Sequence, residues 1–277
     1  MSPKDSLCCS YPMKHSAGKK KLLVLSSSLR MEGTMITLES IRALAESASL
    51  KSISHHIDII YALIYCLPPV EVPASPCLLA IPGISVIHVR QKGSGIYGAL
   101  NTAFDFIWPD LLYVVQDDVL YVDAFTAAIE EVLRNYDSYT HFWFPIYDEH
   151  LGALVSPSHP STRQLGPLGK HQGLILNLGI FQGNKFKPVF CDTFRILGDV
   201  NQHFRLLPVS RHFCSKSTIP IAFCVAGGIS ANKSLRKSFE SIRARTHMIW
   251  PTTAILYLFV KTAAVLKRYI TRFLARK

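Results

Sequence analysis

The chain has 277 residues, 49% of them hydrophobic and 18% charged, which excludes wholesale disorder and allows one large α/β domain with appendages. The net charge of +11 is local: residues 233–277 hold eleven Lys/Arg and one Glu, while residues 1–232 hold nineteen Lys/Arg and eighteen Asp/Glu. A nucleic-acid binder spreads basic residues over a folded face, so this distribution sets that class aside and points to an anionic membrane surface.

Residues 1–20 are polar and basic, with no apolar signal core, and read as a flexible cytoplasmic leader. Leu22 to Leu25 reads as a short buried strand, and Ser26-Ser27-Ser28 as a polar loop at its end. Thr34 fits an N-cap, opening a helix with Ile36, Ile41, Leu44, Ala45 and Ala48 on its inner side. Ile57 to Ile64 is the second predicted strand; a loop with Pro68, Pro69, Pro73 and Pro76 follows. Ile84 to Val89 is the third strand, Ile96 to Phe106 a helix, and Leu111 to Val115 the fourth strand. Asp123 fits a cap for a helix whose stripe is Phe125, Ala128, Ile129, Val132 and Leu133. This alternation predicts an α/β fold with a mostly parallel sheet.

The second half is less regular. Phe142 to Ile146 reads as a strand, Ser156 to Lys170 as a Ser/Pro/Gly-rich loop, and Phe194 to Leu207 as a helix carrying Asp199. Ile219 to Val225 reads as a strand ending at Ala226-Gly227-Gly228-Ile229-Ser230. Seven cysteines without a C-x-x-C spacing read as reduced thiols, and Cys191, His203, His212 and Cys214 match no compact zinc-finger pattern.

The chemistry concentrates at Asp117-Asp118, which end the apolar run Leu111 to Val115. Like charges repel, which raises the pKa of one carboxylate, and a divalent cation relieves the repulsion. Hard oxygen ligands suit Mg²⁺ or Mn²⁺. An aspartate pair also occurs in plain turns, but the upstream block Gly95-Ile96-Tyr97-Gly98-Ala99-Leu100-Asn101 favours a site. Ligands of open α/β sheets sit at the carboxyl ends of strands. Ser26, Ser28 and the aspartates fall at that edge.

Taken in order, these blocks resemble the family 2 glycosyltransferases of the GT-A fold, in particular those building bacterial surface polysaccharides such as colanic acid. That group carries G-I-Y-D-A-M-N, then a strand ending in S-D-D-V-Y, then H-Q, an acidic helix start and G-G-I-S. The matching stretches here are Gly95 to Asn101, Gln116-Asp117-Asp118-Val119-Leu120-Tyr121, His171-Gln172, Arg195-Ile196-Leu197-Gly198-Asp199 and Gly227-Gly228-Ile229-Ser230. The likeness covers residues 20–240.

The resemblance implies a GT-A domain over residues 21–245. It implies that Asp118, with Asp117, holds the metal bridging the donor diphosphate. Asp199 becomes the general base that takes the acceptor's proton in an inverting transfer. A helix-terminal carboxylate stabilised by the macrodipole is the alternative for Asp199. Ser26, Ser28, Tyr97, Asn101, His171 and Gln172 become donor- or acceptor-binding positions; a bond to backbone near the aspartates is the alternative for Asn101, and a loop hydrogen-bonding pair for His171 and Gln172. The family's carboxylate after the second strand is missing from Ile59-Ile60-Tyr61-Ala62-Leu63-Ile64-Tyr65, so the nucleotide end differs.

Residues 246–277 are expected to form a basic amphipathic helix. Ile255, Leu256, Phe259, Ala263, Leu266, Ile270, Phe273 and Leu274 share one face, and Lys261, Arg268, Arg272 and Arg276 the other. The uncharged run Met248 to Val260 is shorter than the roughly 20 residues of a spanning helix, so an interfacial helix fits better, with packing on the domain as the alternative. The sequence therefore predicts a metal-dependent transferase on the cytoplasmic face of the membrane. It would use a nucleotide-sugar donor and a glycan or lipid-linked acceptor. The second hypothesis is an inactive GT-A-like scaffold that binds membrane and a partner transferase.

Overall fold

A computed structural model describes residues 18–28, 31–65, 84–91, 95–158, 169–181, 189–194, 197–206, 211–225, 240–241 and 243–244. Residues 1–17 of the leader expected over 1–20, the tail over 246–277, Arg195-Ile196 and Gly227-Gly228-Ile229-Ser230 lie outside the described residues, while Lys20, expected in the leader, opens the first strand.

The strands are β1 (Lys20–Ser28), β2 (Ile57–Tyr65), β3 (Ser85–Arg90), β4 (Leu111–Val114), β5 (Val119–Leu120), β6 (His141–Trp143), β7 (Ile146–Asp148), β8 (Ala153–Val155), β9 (Leu174–Asn177), β10 (His212–Cys214) and β11 (Ala222–Cys224). The helices are α1 (Met31–Glu46), α2 (Ala48–Ile53), α3 (Gly95–Thr102), α4 (Val122–Arg134) and α5 (Gly198–Leu206). A seven-stranded sheet runs β10-β6-β9-β4-β1-β2-β3, and a four-stranded sheet runs β5-β11-β7-β8. In the large sheet only β9 runs antiparallel to its neighbours, so the sheet is mostly parallel as expected.

Central parallel strands are buried on both faces and need unbroken apolar runs. Leu22, Leu23, Val24 and Leu25 are accordingly all 0% exposed. Their period of two divides the core. Leu22 and Val24 join Ile41 and Leu44 of α1, Phe125 and Ile129 of α4, and Ile146 and Ala222 of the small sheet. Leu23 and Leu25 join Tyr97 and Leu100 of α3 and Val200 and Leu206 of α5.

Several expected elements are corrected. Ser26, Ser27 and Ser28 belong to β1, because β2 continues to Tyr65 and supplies their ladder partners. α1 starts at Met31, so Thr34 lies inside it and is not its cap. It stops at Glu46, because Ser47 is extended and its hydroxyl accepts from Leu50 N at 3.0 Å to start α2. Ile36 is therefore 40% exposed, and Ala48 is exposed at the start of α2. Tyr121 caps α4, while Asp123 sits in its first turn and accepts from Ser49 Oγ at 2.8 Å. The single strand expected over Phe142 to Ile146 is broken at Phe144-Pro145, where Phe144 N bonds Gly173 O at 2.8 Å and the chain crosses to the small sheet. The expected helix from Phe194 to Leu207 begins only at Gly198, and the strand expected from Ile219 is confined to Ala222–Cys224.

His203 fixes α5 against the large sheet. Its ring packs 5.8 Å from His141, 6.0 Å from Trp143 and 5.5 Å from His212, centroid to centroid. Cys191, Cys214 and Cys224 are free, and no group of three His, Cys, Asp or Glu gathers as a metal cage among the described residues. No helix among them is long and apolar enough to cross a membrane.

Candidate active site

The aspartates occupy the turn between β4 and β5. The turn is pinned from α1: the buried Thr37 hydroxyl donates to the Gln116 carbonyl and lies 3.0 Å from the Asp118 carbonyl. Asp118 is 4% exposed, and its Oδ2 accepts from Gln116 N at 3.3 Å. Burial pushes its pKa up, opposed by the His171 charge and by the Gln116 and Val225 amides; the Asp117 charge adds to the rise. Asp117 is half-buried.

A 3-10 turn, His171–Gly173, faces this pair. Tyr113 of β4 holds it from below, its hydroxyl donating to Gln172 O at 2.7 Å. A Cβ on Gly173 would stand 2.3 Å from the Phe144 carbonyl, so only glycine lets the turn lie this close. The turn directs His171 Nδ1 to within 3.4 Å of Asp199 Oδ2. Asp199 lies in the first turn of α5, and its Oδ1 accepts from the Tyr97 hydroxyl at 2.9 Å.

The charges settle each other. Burial would raise the Asp199 pKa, but His171, the Tyr97 hydroxyl and the Val200 amide outweigh it and hold the carboxyl below its usual range. Burial would lower His171, but Asp199 and then Asp118 outweigh it, and its pKa is raised. Burial and the Asp199 charge push the Tyr97 phenol up, so it stays a donor. His171 thus stands in the field of both carboxylates, Asp199 and Asp118, and lowers the pKa of each.

Gly198 makes the Tyr97 contact possible. A Cβ there would meet three Tyr97 ring carbons at 2.6–2.7 Å. Gly198→Ala should therefore destabilise the fold by about 1–3 kcal/mol through overpacking. Urea denaturation measures it, and an unchanged midpoint would show that the ring yields freely.

The other predicted positions fall in two places. Asn101 is spent on the backbone: its Nδ2 donates to Phe190 O at 2.7 Å and its Oδ1 accepts from Phe190 N at 2.9 Å. Phe190 packs against Tyr97 with centroids 5.8 Å apart, so Asn101 stands behind the site and acts through Tyr97. Ser26 and Tyr61 form the other place, beneath Asp117. Burial pushes the Tyr61 phenol up to about 12; the Ser26 hydroxyl beside it lowers it, and the Asp117 charge raises it. Both hydroxyls are fully buried without a hydrogen bond of good geometry. Ser28 ends β1 at the same edge. Gln172 Oε1 is likewise buried without a partner. Thr37, Tyr61, Tyr113, Gly173 and Gly198 were missed in the sequence. Tyr113, four residues before Asp117 in the strand that leads to the aspartates, and Gly198, inside a matched block, carried a positional signal.

The residues present fit a divalent cation that arrives with a diphosphate. Mg²⁺-type ions bind through one or two carboxylates plus substrate phosphates, without an all-protein cage. Asp118 and Asp117 supply hard oxygens on adjacent residues, and the Asp118 carboxylate is buried, opposed by the His171 charge and the Gln116 and Val225 amides.

No family model matches the chain, and no curated protein matches it in sequence. Solved structures do match in shape. S. aureus TarS residues 1–349 in complex with UDP-GlcNAc superposes with a TM-score of 0.53 at 9% identity, over 81% of this chain and 65% of that one. The mannosyltransferase PcManGT from Pyrobaculum calidifontis, in complex with GDP-Man and Mn²⁺, gives 0.51 at 10% identity, over 82% of this chain and 63% of that one. The chain spans less than two thirds of either. With the central sheet, its flanking helices and these likenesses together, the chain has the GT-A fold of glycosyltransferases.

Proposed function

We propose that the chain is an inverting, metal-dependent glycosyltransferase of the family 2 type, acting on a nucleotide-sugar donor and a glycan or lipid-linked acceptor in surface polysaccharide synthesis. The observation that carries this reading is the Asp118–His171–Asp199–Tyr97 constellation at the carboxyl edge of a GT-A sheet. Asp118, with Asp117, would hold Mg²⁺ or Mn²⁺, which supplies charge neutralisation at the departing diphosphate.

The protein's own residues do the rest. Asp199 accepts the proton of the acceptor hydroxyl as that oxygen bonds to the anomeric carbon. The bond from that carbon to the diphosphate breaks, and the nucleoside diphosphate leaves with the electron pair. A carboxylate has about four lone-pair sites. Tyr97 and His171 fix the orientation of Asp199 through one oxygen each, which leaves room for a substrate hydroxyl. The unpartnered Gln172 Oε1 would accept from a sugar hydroxyl. Ser28 would border the nucleotide end, where the family's carboxylate is missing, and the buried Ser26 and Tyr61 would support it from beneath. The basic segment 246–277 would hold the protein on the inner face of the membrane, close to a lipid-linked acceptor.

A thermal-shift screen of UDP-, GDP-, CDP- and dTDP-sugars with Mn²⁺ tests the reading. One donor at a hundred times its dissociation constant should add about 2.7 kcal/mol and raise Tm by roughly 5 °C. The second reading is the inactive scaffold, favoured by the absence of a carboxylate in β2 beyond Asp58. No shift with any donor would select it.

A further inference from the structure

Lys170 borders the constellation without belonging to the set that the sequence motifs name. It precedes His171 directly, and its carbonyl accepts from Gly173 N at 2.9 Å, closing the 3-10 turn. Its ammonium is ion-paired with Asp148. Asp148 lies on the inward face of β7 with its side chain 3% exposed, while the Lys170 side chain is 42% exposed. Leu151 N donates to Asp148 Oδ1 at 3.2 Å, so the backbone fixes the carboxylate that receives the lysine.

The pair points at the catalytic space. β7 sets Asp148 beside Cys224 in parallel register. The Cys224 thiol, raised first by burial, is raised further by Asp118 and lowered by Lys170, so it lies within the field of both. The Lys170 charge is also felt at His171. A half-exposed ammonium therefore sits on a buried anchor, directly before His171, and the anchor's register neighbour Cys224 is followed by Val225, whose amide bonds Asp118.

Resting on the transferase reading, we propose that Lys170 is a second cation of the site that contacts the donor diphosphate, with Asp148 as its positioning residue. When the sugar–phosphate bond breaks, its electron pair stays on the phosphate oxygen, and negative charge grows there. Cations fixed in place before the reaction stabilise that charge without reorganising. A lysine serves phosphate as a point charge on a flexible stem, and such a stem needs an anchor to be preorganised.

Isothermal titration of UDP, GDP, CDP and dTDP with Mn²⁺ tests the assignment on the full chain. Lys170→Gln should weaken binding of the preferred diphosphate about tenfold or more, and Lys170→Arg should keep it within about threefold. Asp148→Asn should weaken it less than Lys170→Gln does. Lys170→Gln leaves the buried Asp148 carboxylate without its ion pair and should melt below the parent, whereas Lys170→Arg keeps the pair and should melt near it; circular dichroism shows that both are folded at the titration temperature. If the parent binds a diphosphate and Lys170→Gln matches it within about twofold, Lys170 has only a structural role and the inference falls alone. If the parent binds none of the four, the transferase reading falls and takes this inference with it.

Discussion

Asp118→Asn should lower sugar transfer about a thousandfold or more and abolish Mn²⁺-dependent binding of the donor diphosphate, as read by turnover and by titration calorimetry. The magnitude follows from the several kcal/mol of charge stabilisation that a bound metal gives a departing phosphate. Asp118 is 4% exposed, so its carboxylate is desolvated and an interaction with a divalent ion there would be little screened. Asparagine keeps the shape and can still accept from Gln116 N, so the β4–β5 turn should stay in place. Burying a charge is unfavourable unless it is paired. The variant should therefore melt at the parent's temperature or above it in metal-free buffer. Asp117→Asn should cost less, because Asp117 is half-buried and its charge is felt at Tyr61. Unchanged turnover in Asp118→Asn would remove the metal seat from this position. A large fall in melting temperature would instead assign Asp118 a folding role.

The fold was more legible in the sequence than the site. Leu22 to Leu25 and Ile57 to Ile64 announce themselves because a central parallel strand must be apolar on both faces. Boundaries set by side chain to backbone bonds were not legible. Ser47 looks like any helix serine until its hydroxyl is seen to accept from Leu50 N. Pro145 marks a break only once the second sheet that receives β7 is known.

At the site, the short motifs located the residues but not their partners. His171-Gln172 and Asp199 lie far apart in sequence, and nothing local tells that the 3-10 turn aims His171 at Asp199. Nor does the spacing tell that Tyr97 lies on Gly198, since that contact depends on a missing Cβ. Asn101 illustrates the reverse. Its place in a matched block left donor and backbone open as its partners, and both ends of its amide bond the Phe190 backbone. Hydrogen-bonding capacity visible in a sequence is spent wherever the fold leaves a donor or acceptor unpaired.

Asp199→Asn should reduce kcat by about 10²–10⁴-fold while leaving Mn²⁺-dependent diphosphate binding near the parent's value. The split separates the base from the metal seat. Asparagine keeps an oxygen for the Tyr97 hydroxyl but cannot take a proton or balance His171. A pH series of urea denaturation gives a second readout through the His171–Asp199 pair. The Asp199 pKa is held below its unfolded value of 3.8, so its stabilisation is present above that pH and is lost as pH falls through the folded value. The His171 pKa is raised above its unfolded value of 6.5, so its stabilisation is present below that pH and is lost as pH rises through the folded value. The pair should therefore contribute fully between about pH 4 and 6.5, and Asp199→Asn should flatten both limbs. His171→Gln should flatten the same two limbs. It should lower kcat less than Asp199→Asn, since it leaves the carboxylate in place without its cation. Equal loss of kcat in the two variants would mean that the histidine itself carries the proton, and Asp199 would then be the residue that orients it.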